Sequence, residues 1–220
     1  PECTPEERDY LLNFASQYFA KPVTKEQVVW SYSGVRPLYD DGASSATAAT
    51  RDYTLKVDKA GGAPLLNIFG GKITTYRRLA EAAMDKITAE LSVTKGNWTA
   101  GVTLPGGDFR VDGVSELVAE LRRNYPFLTN AWALRLVRGY GTDVARILEG
   151  ATGAEDLGRD FGATLTEAEV LWLMEHEFAK RAEDVVWRRS KLGLRLSKDE
   201  IAALDAWMAT QREHMRQAAE

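Results

Sequence analysis

Residues 69 to 78 read FGGKITTYRR: a Gly-Gly pair and a lysine stand where the apolar run APLLNIF hands over to a helical pattern. Glycine serves where backbone must approach a neighbour closely or take positive φ. The first turn of a helix presents N–H groups without intrahelical partners, a seat for an anion or a polarised oxygen. Gly70, Gly71 and Lys72 therefore make a candidate anion-facing helix start. The plainer alternative is a strand–turn–helix connection with Lys72 in solvent. Two phosphate-binding patterns are excluded, because neither G-x-x-x-x-G-K-[ST] nor G-x-G-x-x-G occurs in the chain.

Two arginines could add to this chemistry. Arg36, in SGVRPLYDDG, lies between a strand-like run and a turn stiffened by Pro37. Its planar fork suits bidentate capture of a carboxylate or phosphate, and equally a structural ion pair to Asp40 or Asp41. Arg51 opens RDYTL, where a strand-end arginine is usually a solvated edge residue. His176 and His214 both sit in helical patterns. Glu175 and Glu177 flank His176 but point elsewhere on a helix, and HEF is not H-E-x-x-H. Packing or surface roles are expected for both histidines, and no metal site.

The elements that must position these residues follow from pattern. TPEE places Thr4 as N-cap, Pro5 at the first helical position and Glu7 three residues after the cap. That predicts a helix to about Ala20, with Leu11, Leu12, Ala15 and Phe19 on one face. VVWSYSGV, RDYTLKVD and PLLNIF alternate or cluster β-formers and predict three strands. After the glycine pair, Ile73, Tyr76, Ala80, Ala83 and Ile87 form a helical stripe facing a core. From Leu104 no convincing strand is left. Thr166 with Glu169, and Ser197 with Glu200, each predict a capping box, flanked by the Leu165–Val170 and Leu196–Ile201 staples. Between them TEAEVLWLMEHEFAKRAEDVVWRR predicts the longest helix, ending at Gly193.

Bulk properties bound the rest. The 220 residues are 45% hydrophobic and 27% charged, ordinary globular values, with enough chain to bury a core. The net charge of −4 argues against nucleic-acid binding. Cys3 is the single cysteine, so a disulfide framework or zinc finger is excluded and a reducing compartment is indicated. No apolar run reaches membrane-spanning length and residues 1–20 carry charge throughout, so the chain reads as soluble, without a transmembrane helix or signal peptide.

Taken in order, YSGVRPLYDDG, TRDYTL and APLLNIFGGKITTYRRLAEAAMDKI resemble the C-terminal part of the FAD-dependent, respiratory-type glycerol-3-phosphate dehydrogenases. LPGGDF, RRNYPFL, YG, DLGRDFG and AEVLWLMEHEFAKRAEDVVWRRSKLGL are similar to that family's C-terminal helical domain. The resemblance covers essentially the whole chain. It implies an α+β fold in which residues 1–98 are part of the flavin and substrate-cap region, followed by an all-α C-terminal domain over 99–220.

The resemblance further implies oxidation of sn-glycerol 3-phosphate to dihydroxyacetone phosphate, with FAD as cofactor and electrons passed to quinone. The family's Gly-rich flavin fingerprint and its proposed catalytic histidine lie upstream of this region. The chain alone is therefore expected to be inactive and not to retain FAD. Arg36, Arg51 and Lys72 would bind substrate; Gly70, Gly71, Lys72, Ile73, Thr74 and Thr75 would contact the flavin. A cytoplasmic location at the inner face of the cytoplasmic membrane follows, with peripheral membrane contact and a homodimer as possible partners. Two other readings remain open. One is part of an amino-acid or hydroxy-acid oxidase, against which Arg51 and the helical domain argue. The other is a non-catalytic helical interaction module.

Overall fold

A computed structural model of the chain describes residues 1–35, 38–40, 42, 52–93 and 96–218. The chain forms two compact units, Pro1–Val102 and Thr103–Glu220.

The first unit opens with α1 (Pro5–Ser16), capped as its sequence predicts. Thr4 Oγ1 accepts the Glu7 N–H at 3.2 Å and the Glu7 carboxylate accepts the Thr4 N–H at 2.9 Å. The helix stops short of Ala20 because Ser16 turns the chain: its hydroxyl donates to the Leu12 carbonyl and accepts the Val23 N–H. Phe19 is thereby left out of the helical face and exposed.

β1 (Thr54–Asp58) and β2 (Leu65–Phe69) pair antiparallel, with Thr54 opposite Phe69 and Asp58 opposite Leu65. The predicted strand over 28–35 does not form: among the described residues that segment pairs with no other, and Val29, Tyr32 and Val35 are exposed. β-propensity without a neighbouring strand to pair with does not make a strand.

A short 3₁₀ turn over Ile73–Thr75 leads into α2 (Tyr76–Leu91). Only part of the predicted stripe is covered: Ala83 is buried and Ile87 half-buried, while Ile73, Tyr76 and Ala80 are exposed. Among the described residues of this unit, two strands and two α-helices form and Ala83 is the one buried hydrophobic residue.

The second unit holds the core. It comprises α3 (Val114–Asn124), α4 (Asn130–Tyr140), α5 (Val144–Ile147), α6 (Glu167–His176), a π-helical stretch over Asp184–Arg189, and α7 (Lys198–Ala218). One apolar cluster joins Val118, Leu121, Leu128, Leu136 and Leu148; a second joins Leu165, Leu173, Val185, Leu204 and Met208. Tyr140 packs against both.

Two of the sequence motifs meet in this unit. Gly106 of LPGG accepts the Thr142 N–H at 2.9 Å, and a Cβ on Gly106 or Gly141 would overlap the carbonyl of Tyr140 or Gly106. Only glycine permits that backbone crossing, at φ 71° and 56°.

The long helix predicted through residue 193 is broken. Phe178 takes φ 59°, and the Asp184 carboxylate then accepts the N–H groups of Lys180 and Arg181 at 2.9 and 3.0 Å. An internal Asp recapping the chain outweighs helix propensity. The helical stretch ends at Ser190 rather than Gly193, which packs beneath the Trp187 ring.

Candidate functional site

The glycine pair sits where β2 ends. Gly70 has φ 69° and Gly71 φ 97°. A Cβ on Gly70 would lie 2.7 Å from the Asp52 carbonyl oxygen, so the close approach that requires glycine here is to the chain's own backbone. Lys72 is extended and exposed, and Ile73 is 88% exposed.

Thr75 folds back on Lys72. Its hydroxyl and its N–H both donate to the Lys72 carbonyl at 3.0 Å, and the hydroxyl oxygen accepts the Lys72 N–H at 3.4 Å. The amides of Ile73 and Thr74 lie in the first turn, where helical geometry supplies no intrahelical acceptor. No acidic residue stands in the first turn here or at the start of α2, while Arg77 and Arg78 follow. The arrangement can polarise or hold an anionic oxygen at its surface. Nearby, Tyr39 packs on Phe69 with centroids 5.5 Å apart, and Lys56 lies over the Tyr39 ring and donates to its hydroxyl. Arg36 and Arg51, the other two predicted substrate ligands, lie outside the described residues.

The second unit contains a polar centre that sequence patterns did not reveal. Arg135 on α4 grips Glu169 on α6 through Nη1–Oε1 at 2.6 Å and Nη2–Oε2 at 2.7 Å. Its Nε donates to Thr164 Oγ1 at 3.0 Å and Nη2 to the Thr164 carbonyl at 2.7 Å, pinning a loop in which Ala163 and Thr164 both have positive φ. Tyr140 donates its hydroxyl to Glu169 Oε1 at 2.8 Å. Glu169 is 1% exposed.

Burial works against the charge on Arg135, but the hydrogen bond and charge of Glu169 more than offset it and hold its pKa up. Burial first, then the Glu169 carboxylate, push the Tyr140 hydroxyl well above its ordinary range. Tyr140 keeps its proton at neutral pH, and both oxygens of Glu169 accept hydrogen bonds. This centre holds structure and has no free base.

Spacing predicts Glu169 as the capping-box partner of Thr166, and the structure overturns that. Thr166 makes no side-chain cap bond, and the Glu169 carboxylate that would complete the box is turned inward to Arg135. The available signal was also spacing: Glu169 lies four residues from both Leu165 and Leu173, on the apolar stripe. His176 stacks on Trp172 with centroids 3.9 Å apart, a packing role. Among the described residues no group of three or more His, Cys, Asp or Glu could hold a metal ion. Among the same residues, no helix is long and apolar enough to cross a membrane.

Residues 97–219 match the family described as the C-terminal domain of alpha-glycerophosphate oxidase. The chain belongs to that family. Its relatives include the aerobic glycerol-3-phosphate dehydrogenase of Escherichia coli, 45% identical over 92% of the chain and 40% of the relative. The D-erythritol 1-phosphate dehydrogenase of Brucella abortus is 42% identical over 91% of the chain and 40% of the relative. A glycerol-3-phosphate dehydrogenase of Pseudomonas aeruginosa is 41% identical over 95% and 41%. The chain thus spans about two-fifths of the length of these relatives. The α+β fold with an all-helical C-terminal domain, expected from the resemblance, is what the structure has.

Proposed function

We propose that the chain supplies the C-terminal part of a flavin-dependent dehydrogenase that oxidises the C2 hydroxyl of sn-glycerol 3-phosphate to dihydroxyacetone phosphate. Residues 1–98 belong to its flavin and substrate-cap region, and 99–220 form the helical domain. The names of the relatives support the substrate, and the Gly70-Gly71-Lys72 helix start, with Lys72 exposed, is the observation that carries the reading. A helix start with a lysine and no acidic residue in its first turn fits the electron-rich edge of a flavin ring.

FAD, when bound, supplies the hydride acceptor, and its electrons pass to a quinone at the inner face of the cytoplasmic membrane. The amides of Ile73 and Thr74, at the turn made by Gly70, Gly71, Lys72 and Thr75, favour negative charge facing them. Lys72 reaches the flavin or the substrate, and Arg36 and Arg51 bind the substrate, where an arginine fork fits a phosphate.

The D-erythritol 1-phosphate relative favours a second reading in which a four-carbon polyol phosphate is the substrate. The deciding experiment replaces Lys72 with Met in the full-length enzyme and measures turnover per bound flavin on both substrates. Glycerol 3-phosphate should be the better substrate for the unaltered enzyme, and Lys72→Met should cost about tenfold or more, as for a lost charge-assisted hydrogen bond. Flavin-loaded enzyme that oxidises neither substrate would reject the function. Unaltered kinetics in Lys72→Met would return Lys72 to solvent.

A further inference from the structure

In a chain of net charge −4, one cleft of the helical unit gathers positive charge. It holds about 530 Å³ and is bounded by the C-terminal half of α4 and the segment 189–195. Arg135, Arg138, Arg189, Lys191 and Arg195 all line it. Among the described residues Glu169 is the only carboxylate in its wall, and its charge is spent on Arg135. Arg189 is partly neutralised by Glu177, 3.2 Å away. Lys191 takes φ 60° and donates to the Trp187 carbonyl.

Arg138 and Arg195 differ from the paired arginines of the same unit. Arg110, Arg146, Arg188 and Arg189 each meet a carboxylate. Arg138 and Arg195 are exposed and meet none among the described residues. Two uncommitted guanidinium forks and an ammonium around one concavity raise the local concentration of anions and offer several donors to a tetrahedral oxyanion. Leu134 and Leu194 add apolar wall for a small organic group.

We propose that this cleft is a binding site for a phosphate group, separate from the Gly70-Gly71-Lys72 turn and independent of the function assigned to it. The group is carried either by a small soluble phosphate ester or by the head group of an anionic phospholipid. Arg138 and Arg195 bind its oxygens, Lys191 adds charge, and the Arg135–Glu169 pair fixes the floor.

The test uses the 220-residue chain and the double variant Arg138→Gln/Arg195→Gln, whose exposed positions leave the core intact. Inorganic phosphate and glycerol 3-phosphate are titrated calorimetrically in low salt. Vesicles of phosphatidylglycerol and of phosphatidylcholine are tested by co-sedimentation. A control variant, Arg123→Gln/Arg216→Gln, removes the same charge elsewhere in the unit.

Binding of either free phosphate, weakened at least about tenfold by the cleft variant and spared by the control, supports a soluble ligand. Retention on phosphatidylglycerol alone, lost in the cleft variant and kept in the control, supports the lipid head group. Absence of both kinds of binding overturns the proposal. So does equal weakening by the two variants, or binding untouched by the cleft variant.

Discussion

Arg135 and Glu169 stand 34 positions apart in sequence, yet both guanidinium ends of Arg135 meet the two carboxylate oxygens of Glu169 at 2.6 and 2.7 Å. This pair ties α4 to α6 at a point where the carboxylate is almost wholly removed from water. A lone charge there would be strongly disfavoured, so each partner requires the other.

Glu169→Leu leaves the Arg135 fork without its counter-charge and should cost the helical unit about 3–5 kcal/mol. Arg135→Met combined with Glu169→Leu removes both charges and should recover much of that loss. Urea unfolding of the single and double variants measures the coupling. A double variant no more stable than Glu169→Leu alone would contradict the account.

Tyr140 gives a pH dependence with a definite sign. Its hydroxyl is held protonated above its ordinary value of 10.0 by burial and by Glu169. Above that pH the unfolded chain releases the proton while the folded chain keeps it, so stability falls as pH rises. The contribution is fully present below about pH 10. Thermal melts between about pH 9 and 11 should show a steeper alkaline decline in the unaltered chain than in Tyr140→Phe. Parallel curves would show that Tyr140 ionises freely.

The two helix starts at which spacing predicts a capping box should respond differently. Ser197 Oγ accepts the Glu200 N–H at 3.2 Å and the Glu200 carboxylate accepts the Ser197 N–H at 2.7 Å, so Ser197→Ala should cost about 1 kcal/mol. Thr166 makes no such bond, and Thr166→Val keeps its shape, so its melting temperature should hardly move. Differential scanning calorimetry compares them directly. A larger loss in Thr166→Val would reinstate a cap at that helix.

Gly70→Ala places a methyl group 2.7 Å from the Asp52 carbonyl oxygen and at a φ of 69°, and should destabilise the first unit by more than about 1 kcal/mol. Gly71→Ala meets nothing nearer than 3.4 Å, though its φ of 97° is still unfavourable, so it should be the milder of the two. Hydrogen exchange at the β1 and β2 amides measures both. Equal protection in Gly70→Ala and the unaltered chain would mean the turn can re-form without glycine.

Local chemistry was legible in the sequence wherever it acts over a few residues. The Thr4–Glu7 and Ser197–Glu200 boxes, the β1–β2 strands and the helix after Gly71 all follow from neighbours in the chain. The ordered motifs also sufficed to place the chain with the glycerol-phosphate enzymes, because a series of them constrains far more than one glycine pair. What only the tertiary structure decided depends on partners distant in sequence. Residues 28–35 have strand propensity, but no pairing segment is found for them among the described residues. The helix through Phe178 has helical composition, but Asp184 recaps the backbone and Asp205 accepts the Ala182 N–H at 2.8 Å. Glu169 has the spacing of a capping residue and was claimed instead by Arg135. A capping bond at the end of an exposed helix contributes about 1 kcal/mol. A buried carboxylate without a counter-charge costs several times that, so the distant arginine decided where Glu169 points.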